Sequence, residues 1–267
     1  MTSISVRGVD LWVEQVGHGP DVVFISGLAD EANIWAGQVA ELSDSFRVTT
    51  FDNRGVGRSS TPDGEYRIVD FAEDTVALMA ELGITQAHIV GESMGGCIAQ
   101  QLVLDHPSLV RSLIMHGTWC TTDRYFSETI RGWEMLARSA ATPREFFVAV
   151  SVWFLAPRIY NEGTIDEWAS EVGENPYAQS VDAFCRTSEA LLYHDTRDRL
   201  KEITCPTLVT VGTRDICTPM RLARAIVDTI PGAQFYAIEG GGHMAFVEDP
   251  PTFNAVLKDF LSKIEAV

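Results

Sequence analysis

In the segment Gly91-Glu92-Ser93-Met94-Gly95 a serine stands between two glycines, where a run of apolar and β-branched residues gives way to a helical pattern. This is the G-x-S-x-G arrangement of a nucleophile elbow. A strained strand-to-helix turn lifts the hydroxyl clear of a sheet, and the glycines, with Gly96 behind them, leave room for strand and helix to approach. A serine hydroxyl is a weak nucleophile near neutral pH, so it needs a base within hydrogen-bonding reach and a carboxylate that holds the base in the right tautomer. Six histidines are available. His18 falls in a hairpin-end loop, His88 and His116 beside or within apolar strand runs, His106 at a helix end and His194 in a helix-rich stretch. His243 differs: in AIEGGGHMAFVEDP it follows a strand and a glycine-rich loop able to set an imidazole over strand ends. For the orienting acid, Asp215 in TVGTRDICTP stands just beyond the strand TLVTVG, although an aspartate there also suits a turn or helix N-cap before Pro219. Ser93, Asp215 and His243 run in nucleophile, acid, base order, and the chemistry they would support is acyl transfer.

Three such residues need a scaffold that brings them to one edge. DVVFIS (21–26), FRVTTFD (46–52), AHIVGE (87–92) and SLIMHG (112–117) are short, nearly continuous apolar runs, the pattern of strands covered on both faces. Helical spacing falls between them, over Ile34 to Leu42, Ile68 to Leu82 and Met94 to His106, the last stopped by Pro107. The opening SISVRGVDLWVEQVG alternates about a glycine-containing turn and predicts a hairpin. From Cys120 to about Lys201 no strand pattern occurs and aromatics recur at helical spacing. Then the strand PTLVTVG (206–212), the helix PMRLARAIVDTI, the strand AQFYAIE (233–239) and the helix PPTFNAVLKDFLSKI resume the alternation. The expectation is an α/β fold with a mostly parallel, twisted sheet and helices on both faces. Residues 1–119 and 201–267 would form its core domain, and residues 120–200 a helical cap, or lid, inserted after the sixth strand.

Composition narrows the classes of function. With 267 residues, 46% hydrophobic and 21% charged, the chain can bury a sizeable core, and no repeat or low-complexity tract interrupts it. Twenty basic against 37 acidic residues give a net charge of −17, which repels phosphate backbones and anionic membranes, so neither nucleic acid nor membrane is expected as a partner. The N-terminus has no charged start followed by an apolar run, and the most apolar stretch, Phe146 to Ala156, is short of the ~20 residues of a membrane helix. A cytoplasmic location is the default. Five scattered cysteines, Cys97, Cys120, Cys185, Cys205 and Cys217, have no zinc-ligand spacing and read as reduced thiols, Cys97 being small core filler.

Along nearly the whole chain, DVVFISGLAD, FDNRGVGRSS, GESMGG, VGTRDICTP and GGGHMAFVEDP resemble the α/β-hydrolase fold superfamily. The likeness is to its capped, cofactor-independent group of esterases, enol-lactonases, perhydrolase-like enzymes and carbon–carbon bond hydrolases. The resemblance implies a hydrolase without metal or organic cofactor, in which Ser93, His243 and Asp215 form the triad and the backbone N–H groups of Leu28 and Met94 form the oxyanion hole. The common His-Gly start of the oxyanion loop is here Ser26-Gly27, and Asp30 and Glu31 are unusual in that loop. DNRGVGRS (52–59) matches the turn after the fourth strand, with Arg54 and the glycines structural. Some relatives carry the acid after the sixth strand, but MHGTWCTTD has no carboxylate before Asp123. Glu92 competes with Asp215 for the role of acid. A side chain next to the nucleophile points away from it, which assigns Glu92 to substrate-side or buried hydrogen bonding.

The expected substrate is a small, mostly apolar carboxylic ester or lactone, with Gly27, Trp119, Trp133, Phe147, Trp153 and Phe154 as binding residues. Serine at position 93 excludes the aspartate-nucleophile chemistry of haloalkane dehalogenases and epoxide hydrolases. An enol-lactonase of the 3-oxoadipate type is an alternative whose anionic substrate would want an arginine, from among Arg124, Arg131, Arg158 and Arg186. A carbon–carbon bond hydrolase is another, although SGLADEANIW lacks the extended glycine-rich oxyanion loop usual there. The non-enzyme alternative is a ligand receptor or signalling regulator on the same fold. Oligomeric state, a homodimer included, is left open.

Overall fold

Residues 1–266 are described by a computed structural model, and the apolar runs form one sheet. Its strands are β1 (Thr2–Val6), β2 (Val9–Gly17), β3 (Asp21–Ile25), β4 (Arg47–Phe51), β5 (Ala87–Glu92), β6 (Val110–His116), β7 (Thr207–Gly212) and β8 (Gln234–Ile238), in the order β1-β2-β4-β3-β5-β6-β7-β8. β1 and β2 make the expected hairpin and join antiparallel, while every pairing from β3 to β8 is parallel. All residues of β5 and β7 are buried. Strands covered on both faces need apolar residues in every position, which is why they read as unbroken runs.

Helices α1 (Ala36–Leu42), α2 (Ile68–Glu81) and α3 (Met94–Asp105) fall between the first six strands. After β6 come α4 (Arg124–Ser139), α5 (Pro143–Val150), α6 (Pro157–Asn161), α7 (Thr164–Glu174) and α8 (Val181–Leu191), five helices with no strand between them; α9 (Met220–Val227), α10 (Ala245–Glu248) and α11 (Pro250–Glu265) follow β7 and β8. Alternate residues of each strand enter two separate cores. Val22 and Phe24 of β3 pack with Trp35, Phe246, Phe253 and Leu257 on one face, and Val23 and Ile25 pack with Leu78, Ile98 and Leu102 on the other. The helix expected from Ile34 begins instead as a 3₁₀ turn, Ala32–Trp35, before α1. The four-residue α10 was not anticipated, being too short to show a helical period.

Helices α4 and α8 join the second of these apolar clusters through Phe126, Ile130, Trp133, Phe184 and Leu191. Polar ties hold the rim: Gln179 Nε2 donates to Gly55 O at 2.8 Å, Asn175 bonds Glu31, and the Arg58 guanidinium lies 4.3 Å from the Tyr177 ring centroid. All five cysteines are free, and among the described residues no helix is long and apolar enough to cross a membrane.

Candidate active site

β5 delivers Ser93 to the end of the sheet. Its backbone takes φ 53° and ψ −118°, a conformation most side chains avoid, and Met94 opens α3 immediately after it. Three hydrogen bonds fix the turn: Ser93 N–H donates to His116 O (2.9 Å), while Thr118 Oγ (2.8 Å) and Gly96 N–H (2.9 Å) donate to Ser93 O. The glycines are needed for packing. A Cβ on Gly95 would lie 2.0 Å from Ile25 O, and one on Gly91 2.3 Å from Gly95 O, so only glycine lets α3 approach β3 and β5 this closely.

Asp215 lies just after β7, and His243 in the loop between β8 and α10. His243 Nδ1 is 2.9 Å from Asp215 Oδ2, which also accepts from Thr218 Oγ (2.7 Å), while Thr218 N–H donates to Asp215 Oδ1 (2.8 Å). Burial pushes the Asp215 carboxyl up, but the neighbouring His243 charge and the bonds from His243 and Thr218 outweigh it and hold the group below the ordinary carboxylate range. The turn role and the pairing role considered for Asp215 coexist in one side chain. Thr218, whose hydroxyl is also 3.0 Å from His243 Nδ1, was missed in the sequence; an acceptor and a hydroxyl three residues apart before a proline-led helix is its only signal. His116 Nε2 donates to His243 O (3.0 Å), Met244 N–H donates to Phe154 O (3.2 Å), and the Phe154 ring centre lies 5.5 Å from that of His243. His243 Nε2 has no hydrogen-bond partner among the described residues and lies 3.3 Å from Glu92 Oε1.

Two of the remaining histidines are held by carboxylates. His88 bonds Ser112 and Glu265, and His106 bonds Glu73. Burial lowers both His116 and His194 to about 4, so both are neutral at pH 7.

Leu28 borders the cavity beside Ser93, and Met94, fully buried, occupies the first position of α3, where helical N–H groups have no partner within the helix. Other side chains brace the loop after β3. Trp35 Nε1–H donates to Ser26 Oγ (3.0 Å), Asn53 Nδ2–H to Ser26 O (3.0 Å), and Ala32 N–H to Asp52 Oδ1 (2.7 Å). Arg54 clamps both oxygens of Asp74 at 2.6 and 2.7 Å, a structural use.

Ser93 and His243 face a cavity of about 40 Å³. Trp119, Trp133 and Phe154 line it, as do Phe126, Leu191 and Met244, which sequence reasoning did not select. Phe126 had a signal, standing two helical turns before Trp133; Leu191 had none. Of the other expected binding residues, Phe147 packs instead with Leu155, Ile159 and Ile165, and Trp153 packs against the main core. Gly27 lies against the carboxyls of Asp30 and Glu92, and both acids border the cavity. No arginine does so among the described residues: Arg131 pairs with Glu128, Arg158 with Glu248 and Arg186 with Asp63, and Arg124 is exposed.

A mostly parallel eight-stranded sheet, a serine on a strained strand-to-helix turn and a histidine–aspartate pair beyond the later strands define a class, and the chain belongs to the α/β-hydrolase fold family, whose profile matches residues 20–250. The protein named "Putative carbamate hydrolase RutD" from Caulobacter segnis is 33% identical over 250 residues, spanning 91% of this chain and 92% of its own. The solved enol-lactonase from Burkholderia xenovorans LB400 is 26% identical with a TM-score of 0.88, covering 98% of this chain and 100% of that one. MGS-M2, an α/β hydrolase from a Medee basin deep-sea metagenome library, superposes with a TM-score of 0.91 over 98% of this chain and 97% of its own; at 22% identity that likeness is one of fold.

Proposed function

We propose that this hydrolase cleaves a carboxylic ester or lactone of a small, mostly apolar substrate through an acyl-enzyme. The observation that carries the proposal is the meeting, at one cavity, of Ser93 on its strained turn with an imidazole whose Nδ1 is bound to a buried carboxylate while its Nε2 is free. In the proposed cycle His243 Nε2 takes the Ser93 hydroxyl proton as Oγ attacks the carbonyl carbon. The Leu28 and Met94 N–H groups hold the oxyanion, and Asp215 keeps the Nδ1 proton and stabilises the imidazolium. The imidazolium protonates the departing alkoxide. Water then attacks the acyl group, giving its proton to His243, and Ser93 leaves as the restored hydroxyl.

Substrate size and charge follow from the walls. The cavity volume, about 40 Å³, is far below the ~300–1,000 Å³ of ordinary ligand pockets, so the acyl group is short, or Trp133 and Phe154 of the cap move to admit it. We take residues 120–200 as that cap. Two carboxyls and no lining arginine or lysine among the described residues disfavour an anionic enol-lactone of the 3-oxoadipate type. The likeness to RutD supports a second substrate class, carbamates, whose carbonyl is open to the same steps.

The test is turnover of p-nitrophenyl acetate and butyrate. The Ser93→Ala variant should fall to the uncatalysed rate; if it kept a tenth or more of wild-type kcat/KM, the assignment of the site would be wrong. One slow turnover followed by silence would favour a receptor over an enzyme.

A further inference from the structure

We infer that Asp30 and Glu92 form a recognition site for a hydrogen-bond-donating group, a hydroxyl or N–H, carried by the substrate near its scissile carbonyl. The inference rests on the serine-hydrolase proposal above and names the substrate class of that same cavity.

Glu92 ends β5 and is 1% exposed; Asp30 belongs to the oxyanion loop; both border the cavity with Ser93 and His243. Their carboxyls converge over Gly27. A Cβ there would come 2.3 Å from Glu92 Oε2 and 2.8 Å from Asp30 Oδ2, so any other residue would drive the two acids apart or out of place. The buried carboxylates of the fold provide the contrast. Asp52 accepts from Ala32 N–H and Arg58 N–H, Asp74 from two nitrogens of Arg54, Asp215 from Thr218 and His243, and Glu248 from Ala156 N–H and Gly242 N–H, each through both oxygens. Each of those acids has both oxygens occupied by partners within the protein. Glu92 is not bound in this way: its Oε2 is buried without a donor, and its Oε1 lies 3.3 Å from the nitrogen that must serve Ser93. Buried acceptors are ordinarily paired, and the residue that carries this one borders the cavity.

Electrostatics favour a donor over an anion. Burial, and then the neighbouring charges of Asp30 and Asp215, push Glu92 well above the ordinary range; burial is also the main cause that brings Asp30 to about 7, against the lowering effect of His243 and Glu92. Two acids in this position retain a proton between them near neutrality. Acceptor lone pairs, those of Glu92 Oε2 among them, remain for a substrate hydroxyl or N–H. A site built to bind such a donor discriminates strongly against the isostere that lacks it, because its own polar groups are then left unpaired.

Two matched ester pairs test this: p-nitrophenyl 3-hydroxybutanoate against p-nitrophenyl 3-methylbutanoate for a donor on the acyl side, and 2-hydroxyethyl butanoate against propyl butanoate for one on the alcohol side. The quantity read is the ratio of kcat/KM within a pair, in which any loss of correctly folded enzyme cancels. The wild type should favour the hydroxyl-bearing member of at least one pair by about tenfold or more, and Asp30→Asn, Glu92→Gln and Glu92→Met should each cut that ratio at least about fivefold. Wild-type ratios near one on both pairs, or ratios unchanged in all three variants, would overturn the inference while leaving the serine-hydrolase proposal intact. Absence of turnover on every ester, together with failure of a fluorophosphonate to label Ser93, would overturn that proposal instead.

Discussion

Replacing Asp215 by asparagine keeps the shape of the side chain and removes its negative charge and the ability of both oxygens to accept. The wild-type carboxylate takes Thr218 N–H on Oδ1 at 2.8 Å, and Thr218 Oγ–H at 2.7 Å and His243 Nδ1–H at 2.9 Å on Oδ2. An asparagine oriented to retain the Thr218 N–H bond turns its NH₂ toward His243, so Nδ1 must accept and the ring proton moves to Nε2. Nε2 then cannot take a proton from Ser93. The opposite orientation keeps the useful tautomer but sets NH₂ against the Thr218 N–H, two buried donors facing each other, at about 1–3 kcal/mol, and still lacks the charge that stabilises the imidazolium. Either way kcat/KM should fall by about 10³ to 10⁴, equivalent to about 4–5.5 kcal/mol. Initial rates on p-nitrophenyl acetate, normalised to the fraction of correctly folded protein, would measure it. A loss under tenfold, or a Glu92→Gln variant more impaired on this donor-free ester than Asp215→Asn, would refute Asp215 as the orienting acid.

Three further outcomes are expected. Asp30 is raised from the ordinary 3.8 to about 7, so between those values the unfolded chain gives up a proton that the folded chain keeps, and folding is penalised increasingly as pH rises to 7. Thermal melts should therefore show Asp30→Asn gaining on the wild type from pH 4 to pH 8; a pH-independent gap would contradict the cause given. Trp133→Ala enlarges a cavity of about 40 Å³ and should move the preferred p-nitrophenyl ester to longer acyl chains by lowering KM for octanoate; an unchanged chain-length profile would place Trp133 outside the acyl path. Arg54→Met leaves buried Asp74 with only Arg7, at 3.3 Å, and should cost about 2–4 kcal/mol, seen in calorimetry as a Tm loss of roughly 5–10 °C; a loss under about 2 °C would show that the clamp contributes little.

The scaffold was legible because buried parallel strands leave a continuous signal: AHIVGE reads as a strand and is one, buried at every residue. Ser93 was legible for a related reason, since glycine at 91 and 95 is forced by main-chain atoms closer than a Cβ would tolerate. Asp215 was ambiguous in sequence because its two readings hold together, Thr218 N–H supplying the turn and His243 the pairing. The helices between β6 and β7 were less legible. Helical spacing marks an apolar face but not which end of it meets the core, and the 3₁₀ turn at Ser151–Trp153 changes the angular step just before Phe154, so Phe154 reaches the cavity while Phe147 and Trp153 do not. The pairing of Asp30 with Glu92 left no local trace, because it joins a loop to a distant strand end across Gly27. Glu248 was equally silent: its bonds to Ala156 and Gly242 tie the segment before α6 to the histidine loop, a contact made only in three dimensions.

The most direct measurement is intact-protein mass spectrometry after reaction with a fluorophosphonate, followed by peptide mapping. One equivalent of adduct on the peptide containing Ser93, absent in Ser93→Ala and formed at least about a hundredfold more slowly in His243→Ala, is the outcome expected of a nucleophile activated by that histidine. Ester turnover by a protein that takes no adduct, or that takes it at a residue other than Ser93, would contradict the proposed site.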